Sequence, residues 1–137
     1  MAAVDLVDET FVVADRAVLA AEIADPAAWA RWWPELTLTV FMDRGLDGIR
    51  WSVSGEWCGS LEIWLEQVGD GVLVHHYVRL DRADPATGAP RAQPGDARGR
   101  RTASRARARR ARRWKRSVWE LKDRVEQGRR PGEPRTA

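Results

Sequence analysis

Two adjacent histidines, eight tryptophans and a dense run of arginines are the residues of this 137-residue chain with the most chemical potential. His75 and His76 lie in a stretch, Val72 to Leu80, whose apolar residues recur at every second position. Strand alternation sends neighbouring side chains to opposite faces. His76 shares the phase of Val72, Val74, Val78 and Leu80 and is expected to point inward, whereas His75 falls with Leu73, Tyr77 and Arg79. An imidazole in an apolar cavity could act as a general acid/base for enolisation or dehydration. It could equally be a hydrogen-bonded core residue. No carboxylate is placed by the sequence pattern to orient it, so His76 stands as a catalytic candidate with both readings open.

Tryptophan joins a large apolar body to one N–H donor. Trp51, Trp57 and Trp64 in the sheet region and Trp114 near the C-terminus could line a pocket or fill the core of a small domain. Trp51 sits mid-strand between Ile49 and Val53 and faces the same way as they do, whereas Trp64 between Glu62 and Glu66 is expected on the opposite, exposed face. Trp29, Trp32 and Trp33 cover one side of a short helix and are expected to anchor it. The residues expected to surround an apolar ligand are Trp51, Val53, Leu61, Ile63, Val74, His76, Trp114 and Val118.

Ten arginines fall between Arg98 and Arg116, together with Lys115. Through residue 96 the chain carries 7 Arg and no Lys against 16 acids, whereas residues 97 to 130 carry 15 basic residues against 3 acids. Such a segment can meet an anionic surface, nucleic acid or membrane, through Arg109, Arg110, Arg112 and Arg113. It can also be a solvated helix face balanced by the acidic half of the chain. Aromatic residues do not interleave with these arginines as they do in a single-strand binding platform, apart from Trp114.

Several chemistries lack their residues. Cys58 is the only cysteine, which excludes an internal disulfide and paired-cysteine metal sites. Adjacent strand histidines diverge, so no metal site is expected. There is no glycine-rich phosphate loop and no Gly-x-Ser-x-Gly elbow, and no cofactor is expected. The acidic stretch Met1 to Glu9 is unlike a secretory leader and no run of about 18 apolar residues occurs, so a cytoplasmic location is expected.

The elements that would position these residues follow from local signals. Val4 to Val13 reads as a strand, and Asp15 as the N-cap of a helix running to about Ala24. Asp25-Pro26 opens a second helix that stops before Pro34. Alternating strands follow from Leu36 to Phe41, across Ile49, Trp51 and Val53, from Leu61 to Glu66, and from Val72 to Leu80, the last two joined through Gly69-Asp70-Gly71. Residues 84–99, rich in proline and glycine, read as a flexible loop. Ala111, Trp114, Val118, Leu121 and Val125 form an amphipathic stripe on a basic helix beginning near Ala97 to Arg101, counted over 100–127. Gly128 and Pro131 stop it, and 129–137 are expected to be a disordered tail. Residues 1–128 thus form one α+β domain, with two short helices and one long helix on an antiparallel sheet of about five strands.

The segments Thr10 to Asp15, Ala24-Asp25-Pro26, Trp29-x-x-Trp32-Trp33-Pro34-Glu35 and the Gly71 hairpin resemble the polyketide cyclase/dehydrase branch of the START-like (SRPBCC) superfamily. The resemblance runs over residues 4 to 81 and returns at Trp114 to Val125. It implies a helix-grip fold whose cavity between sheet and C-terminal helix holds a lipid, polyketide or other hydrophobic small molecule. Some relatives cyclise or dehydrate their ligands and many only bind them. Relatives carry six or seven strands where about five are counted here, which implies a smaller or more open cavity and an exposed edge on which a homodimer could form.

Overall fold

The computed structural model describes residues 2–91 and 95–133. The elements run β1 (Val4–Val12), α1 (Arg16–Ile23), α2 (Pro26–Trp32), β2 (Thr37–Asp43), a 3₁₀ turn (Gly45–Asp47), β3 (Gly48–Ser54), β4 (Trp57–Val68), β5 (Gly71–Arg82) and α3 (Ala97–Glu126). The strands form one antiparallel sheet in the order β1-β5-β4-β3-β2. This is the expected α+β architecture with five strands. The parts of the loop and tail expectations that fall on residues 92–94 and 134–137 lie outside the described residues.

The inner sheet face carries the core because the alternating sets of all strands meet there in register. One cross-strand row joins Leu6, Val78, Leu61 and Trp51, and the next joins Asp8, His76, Ile63 and Ile49. The α3 stripe closes over this face through Trp114, Val118 and Leu121, all buried. Burial of a Val or Leu side chain stabilises by roughly 1.5–3 kcal/mol, so the last two residues alone hold the second half of α3 firmly.

Local signals set the helix ends. The Asp25 side chain accepts a hydrogen bond from the Ala27 N–H at 2.9 Å with Pro26 at the first helical position. Asp96 caps α3 by accepting from the Gly99 N–H at 2.8 Å, and the helix starts at Ala97, within the expected Ala97 to Arg101. Gln127, not a glycine, takes the left-handed conformation at its C-terminus, followed by Gly128.

The sequence pattern placed the fourth strand from Leu61, but β4 begins at Trp57 and runs through Gly59. Gly59 has φ 141° and a Cβ there would lie 1.9 Å from the Arg79 carbonyl oxygen. Only glycine permits that approach, so Gly59 lets β4 pair closely with β5 at this point. Register with β5 then sets Trp57 opposite Arg82. Within the described part of the loop expected over 84–99, Ala83 bridges Pro90, and Asp84 Oδ1 accepts from the Ala86 and Thr87 N–H groups.

The two sheet edges differ. Along β1 the helix supplies donors to the free carbonyls: Arg107 Nε to Asp5 O at 3.0 Å, Lys115 Nζ to Glu9 O at 3.3 Å and Lys122 Nζ to Phe11 O at 2.7 Å. Covering an edge in this way removes a template for unwanted pairing. At the other edge, β2 leaves Val40, Phe41 and Met42 exposed beside a register shift.

Candidate functional site

His76 sits on the inner face of β5, 1% exposed. Its Nδ1 lies 3.1 Å from the Glu62 carbonyl oxygen. A carbonyl can only accept, so Nδ1 carries the proton and donates. The ring lies 4.1 Å from Trp114, tilted by 30°, and stacks on Trp33 at 5.7 Å. Burial pushes its pKa down from 6.5 to about 4, against the opposing pull of the Glu62 carbonyl and the Asp8 carboxylate. The imidazole is therefore neutral at pH 7 and walled by indoles.

Asp8 is the carboxylate that strand alternation had not paired with the histidine. It faces His76 across the β1–β5 ladder, accepts from Trp114 Nε1 at 3.1 Å and pairs with Lys115 Nζ at 2.9 Å. A signal for it exists, since an acid stands among Val4, Leu6, Thr10 and Val12 in the inward phase of β1.

The aromatic residues between sheet and helices fill that space themselves. Trp51, 0% exposed, meets Trp29 and Trp33 edge-on at 5.3 and 5.2 Å, and Trp33 stacks on Trp114 at 5.9 Å. Trp29 is fixed by donating to the Ile23 carbonyl at 2.6 Å. The Trp51 indole N–H is buried with no hydrogen-bond acceptor among the described residues. Val53, Leu61, Ile63, Val74 and Val118 complete the same core. The eight residues expected to surround a ligand are thus packed against each other, because three tryptophans from the end of α2 occupy the room a cavity would need.

A cleft of about 900 Å³ opens further along α3. Its walls come from the first half of that helix (Gly99, Thr102, Ala103, Ala106), from Trp57 at the start of β4, and from Ala3. The arginine-rich half of α3 has no large apolar residue, is helical and forms this wall. Trp57 is held by two guanidinium groups, with Arg82 4.3 Å and Arg110 5.0 Å from its ring centre. Such cation–π contacts orient an indole as well as stabilise it. Glu35, just past α2, accepts from Arg110 at 2.7 Å and from Arg113 at 3.1 Å. Burial lowers the Arg110 pKa, Glu35 opposes this, and Arg113 and Arg109 add to the lowering.

Of the arginines singled out from sequence, Arg109, Arg110 and Arg113 line the cleft, whereas Arg112 borders a shallower groove beside Leu6 and Val7. Residues separated by one helical step project about 100° apart, which parts Arg112 from the others. Arg82, Arg91 and Arg98 also line the cleft; Arg98 opens the arginine run, whereas Arg82 and Arg91 carried no sequence signal, since the turn after β5 brings them to the helix start. Trp64 is half-buried, not exposed, because it stacks on His75 at 4.2 Å. His75 lies between Glu66 at 3.0 Å and Glu9 at 3.4 Å on the outer face. Cys58 is half-buried, and desolvation together with Asp81 raises its thiol pKa, which disfavours a reactive thiolate. No group of three or more candidate metal ligands occurs among the described residues, and no described helix is long and apolar enough to cross a membrane.

No family model matches the sequence, and no curated protein is similar to it. Among solved structures, the chain is similar to the solution structure of the Aha1 dimer from Colwellia psychrerythraea, with a TM-score of 0.59 and 13% identity. The match covers 93% of this chain and 99% of that one. At this identity the likeness shows the fold alone: an α+β domain of helix-grip-like architecture, an open five-stranded sheet closed by a long C-terminal helix.

Proposed function

We propose that this domain binds a hydrophobic small molecule, lipid or polyketide-like, in the cleft between the β4 start and the first half of α3. The observation that carries the reading is the cleft itself. Its volume of about 900 Å³ lies in the range that ligand sites occupy, roughly 300–1,000 Å³. Trp57, Ala3, Ala103 and Ala106 supply apolar wall, and arginine stems extend such a surface while their heads stay in water. The sequence resemblance to the polyketide cyclase/dehydrase branch supports the same ligand class and is itself part of the proposal.

The alternative that His76 performs cyclase or dehydratase chemistry has less support. A general base must come within hydrogen-bond reach of its substrate, and His76 is sealed by Trp33 and Trp114 and does not border the cleft. A second reading is docking of the exposed arginines of α3 to an anionic surface, favoured by the exposure of Arg101, Arg105, Arg112 and Arg116. Steep salt dependence of vesicle or nucleic-acid binding would support it. A homodimer through the bare β2 edge is compatible with the dimeric state named for the structural neighbour.

The test is native mass spectrometry of protein purified from its own host, followed by denaturation to release any bound molecule. The expected result is a stoichiometric hydrophobic ligand that is lost from Ala103→Trp, which fills the cleft from a wall position outside the core cluster. A ligand retained by that variant, or none in the parent protein, would refute the reading.

A further inference from the structure

The cleft is lined by six arginines, at 82, 91, 98, 109, 110 and 113. Three have acidic partners: Arg82 pairs with Glu56 at 2.8 Å, and Arg110 and Arg113 share Glu35. The third acid of the lining, Asp96, accepts from the Gly99 N–H as the helix cap. The side chains of Arg91, Arg98 and Arg109 have no hydrogen-bond or ion-pair partner among the described residues. Six arginines against three acids leave the cleft an excess of three positive charges beside an indole wall.

Like charges gathered without counter-charge repel one another and disfavour the folded state. Here they flank a concavity instead of a flat helix face, and low-dielectric walls focus their field into it. Guanidinium groups bind phosphate and carboxylate oxygens through paired N–H donors. A phosphate monoester carries about −1.5 to −2 at pH 7 and three acceptor oxygens, a better match to three free forks than a single carboxylate.

We propose that the cleft takes an amphipathic phosphate monoester, its phosphate held by Arg91, Arg98 and Arg109 and its apolar body laid against Trp57, Ala103 and Ala106. This rests on the cleft being the ligand site and adds the chemical class of the head group. Arg110, pinned by Glu35 and Trp57, serves as wall and orients Trp57.

The experiment is calorimetric titration of the full chain with decyl phosphate, decanoate, decanol and inorganic phosphate, at two salt concentrations. The phosphate monoester is expected to bind at least about tenfold more tightly than decanoate, and decanoate more tightly than decanol. In Arg98→Gln/Arg109→Gln, both exposed positions without partners among the described residues, decyl phosphate should fall to the level of decanoate, with decanol binding unchanged and the melting temperature equal to or above the parent's, since repulsion is relieved. Equal affinity for decyl phosphate and decanol, or a double variant that binds decyl phosphate as the parent does, would overturn the head-group assignment while leaving the cleft as an apolar site. Failure of all three decyl compounds to bind would overturn the cleft reading and the assignment with it. Inorganic phosphate binding as tightly as decyl phosphate would overturn the role of the Trp57 wall.

Discussion

Protonation of His76 should be a principal cause of acid destabilisation in this protein. In the folded chain its pKa is about 4, set chiefly by burial, against an ordinary value of 6.5. Above pH 6.5 the ring is neutral in both folded and unfolded chains, and the site contributes no pH dependence. Between 6.5 and 4 the unfolded chain takes up a proton that the folded one refuses, so stability falls as pH falls; below 4 both are protonated and the loss is complete. A difference of about 2.5 units corresponds to roughly 3 kcal/mol, a substantial fraction of the 5–15 kcal/mol typical of a domain. Urea unfolding at half-unit steps from pH 7.5 to 3.5 measures this when set against His76→Gln, which can still donate to the Glu62 carbonyl but does not titrate. Carboxylates contribute similar slopes to both proteins, so the difference between the curves isolates the histidine. The parent should lose about 3 kcal/mol more than the variant across this window. Parallel curves would refute the reasoning, since they would mean that His76 has the same proton affinity in both states.

Gly59→Ala should cost several kcal/mol and disrupt pairing at the β4 start, because the added methyl carbon would sit 1.9 Å from the Arg79 carbonyl oxygen; chemical denaturation measures it, and a loss within about 0.5 kcal/mol, as at ordinary surface positions, would contradict the close approach. Glu35→Gln removes the carboxylate from Arg110, whose side chain is 13% exposed, and should cost roughly 1–3 kcal/mol; an unchanged denaturation midpoint would show that solvent replaces the pair. Lys115→Met/Lys122→Met strips two donors from the β1 edge and should raise concentration-dependent self-association in analytical ultracentrifugation. A variant as monodisperse as the parent would mean that the edge is protected by other groups.

The outline of the fold was legible because its signals are local and periodic. Two-residue alternation in β3 and β5 put Trp51 and His76 on the inner face, the Asp25-Pro26 step opened α2, and the Trp114, Val118, Leu121 stripe identified the buried side of α3. The start of β4 was not legible, since whether a glycine such as Gly59 sits inside a strand depends on the neighbouring backbone, here Arg79, twenty residues away in sequence. The Ala83–Pro90 bridge after β5 was not legible for a similar reason, since it has no composition signal.

The candidate site divides along the same physical line. The amino-acid sequence by itself determined that the chain has inward tryptophans, an inward histidine and an arginine-dense helix, because face and helical propensity depend on neighbours a few residues apart. Only the tertiary structure decided that Trp29, Trp33 and Trp114 close the space around Trp51 and His76, and that the open volume lies instead beside Trp57. Whether facing side chains fill the gap between two layers depends on their summed volume and mutual orientation at native packing density. The pairing of Asp8 with Trp114 and Lys115, and of Glu35 with Arg110 and Arg113, likewise joins residues more than seventy positions apart. Such contacts exist only once the sheet and the long helix have met.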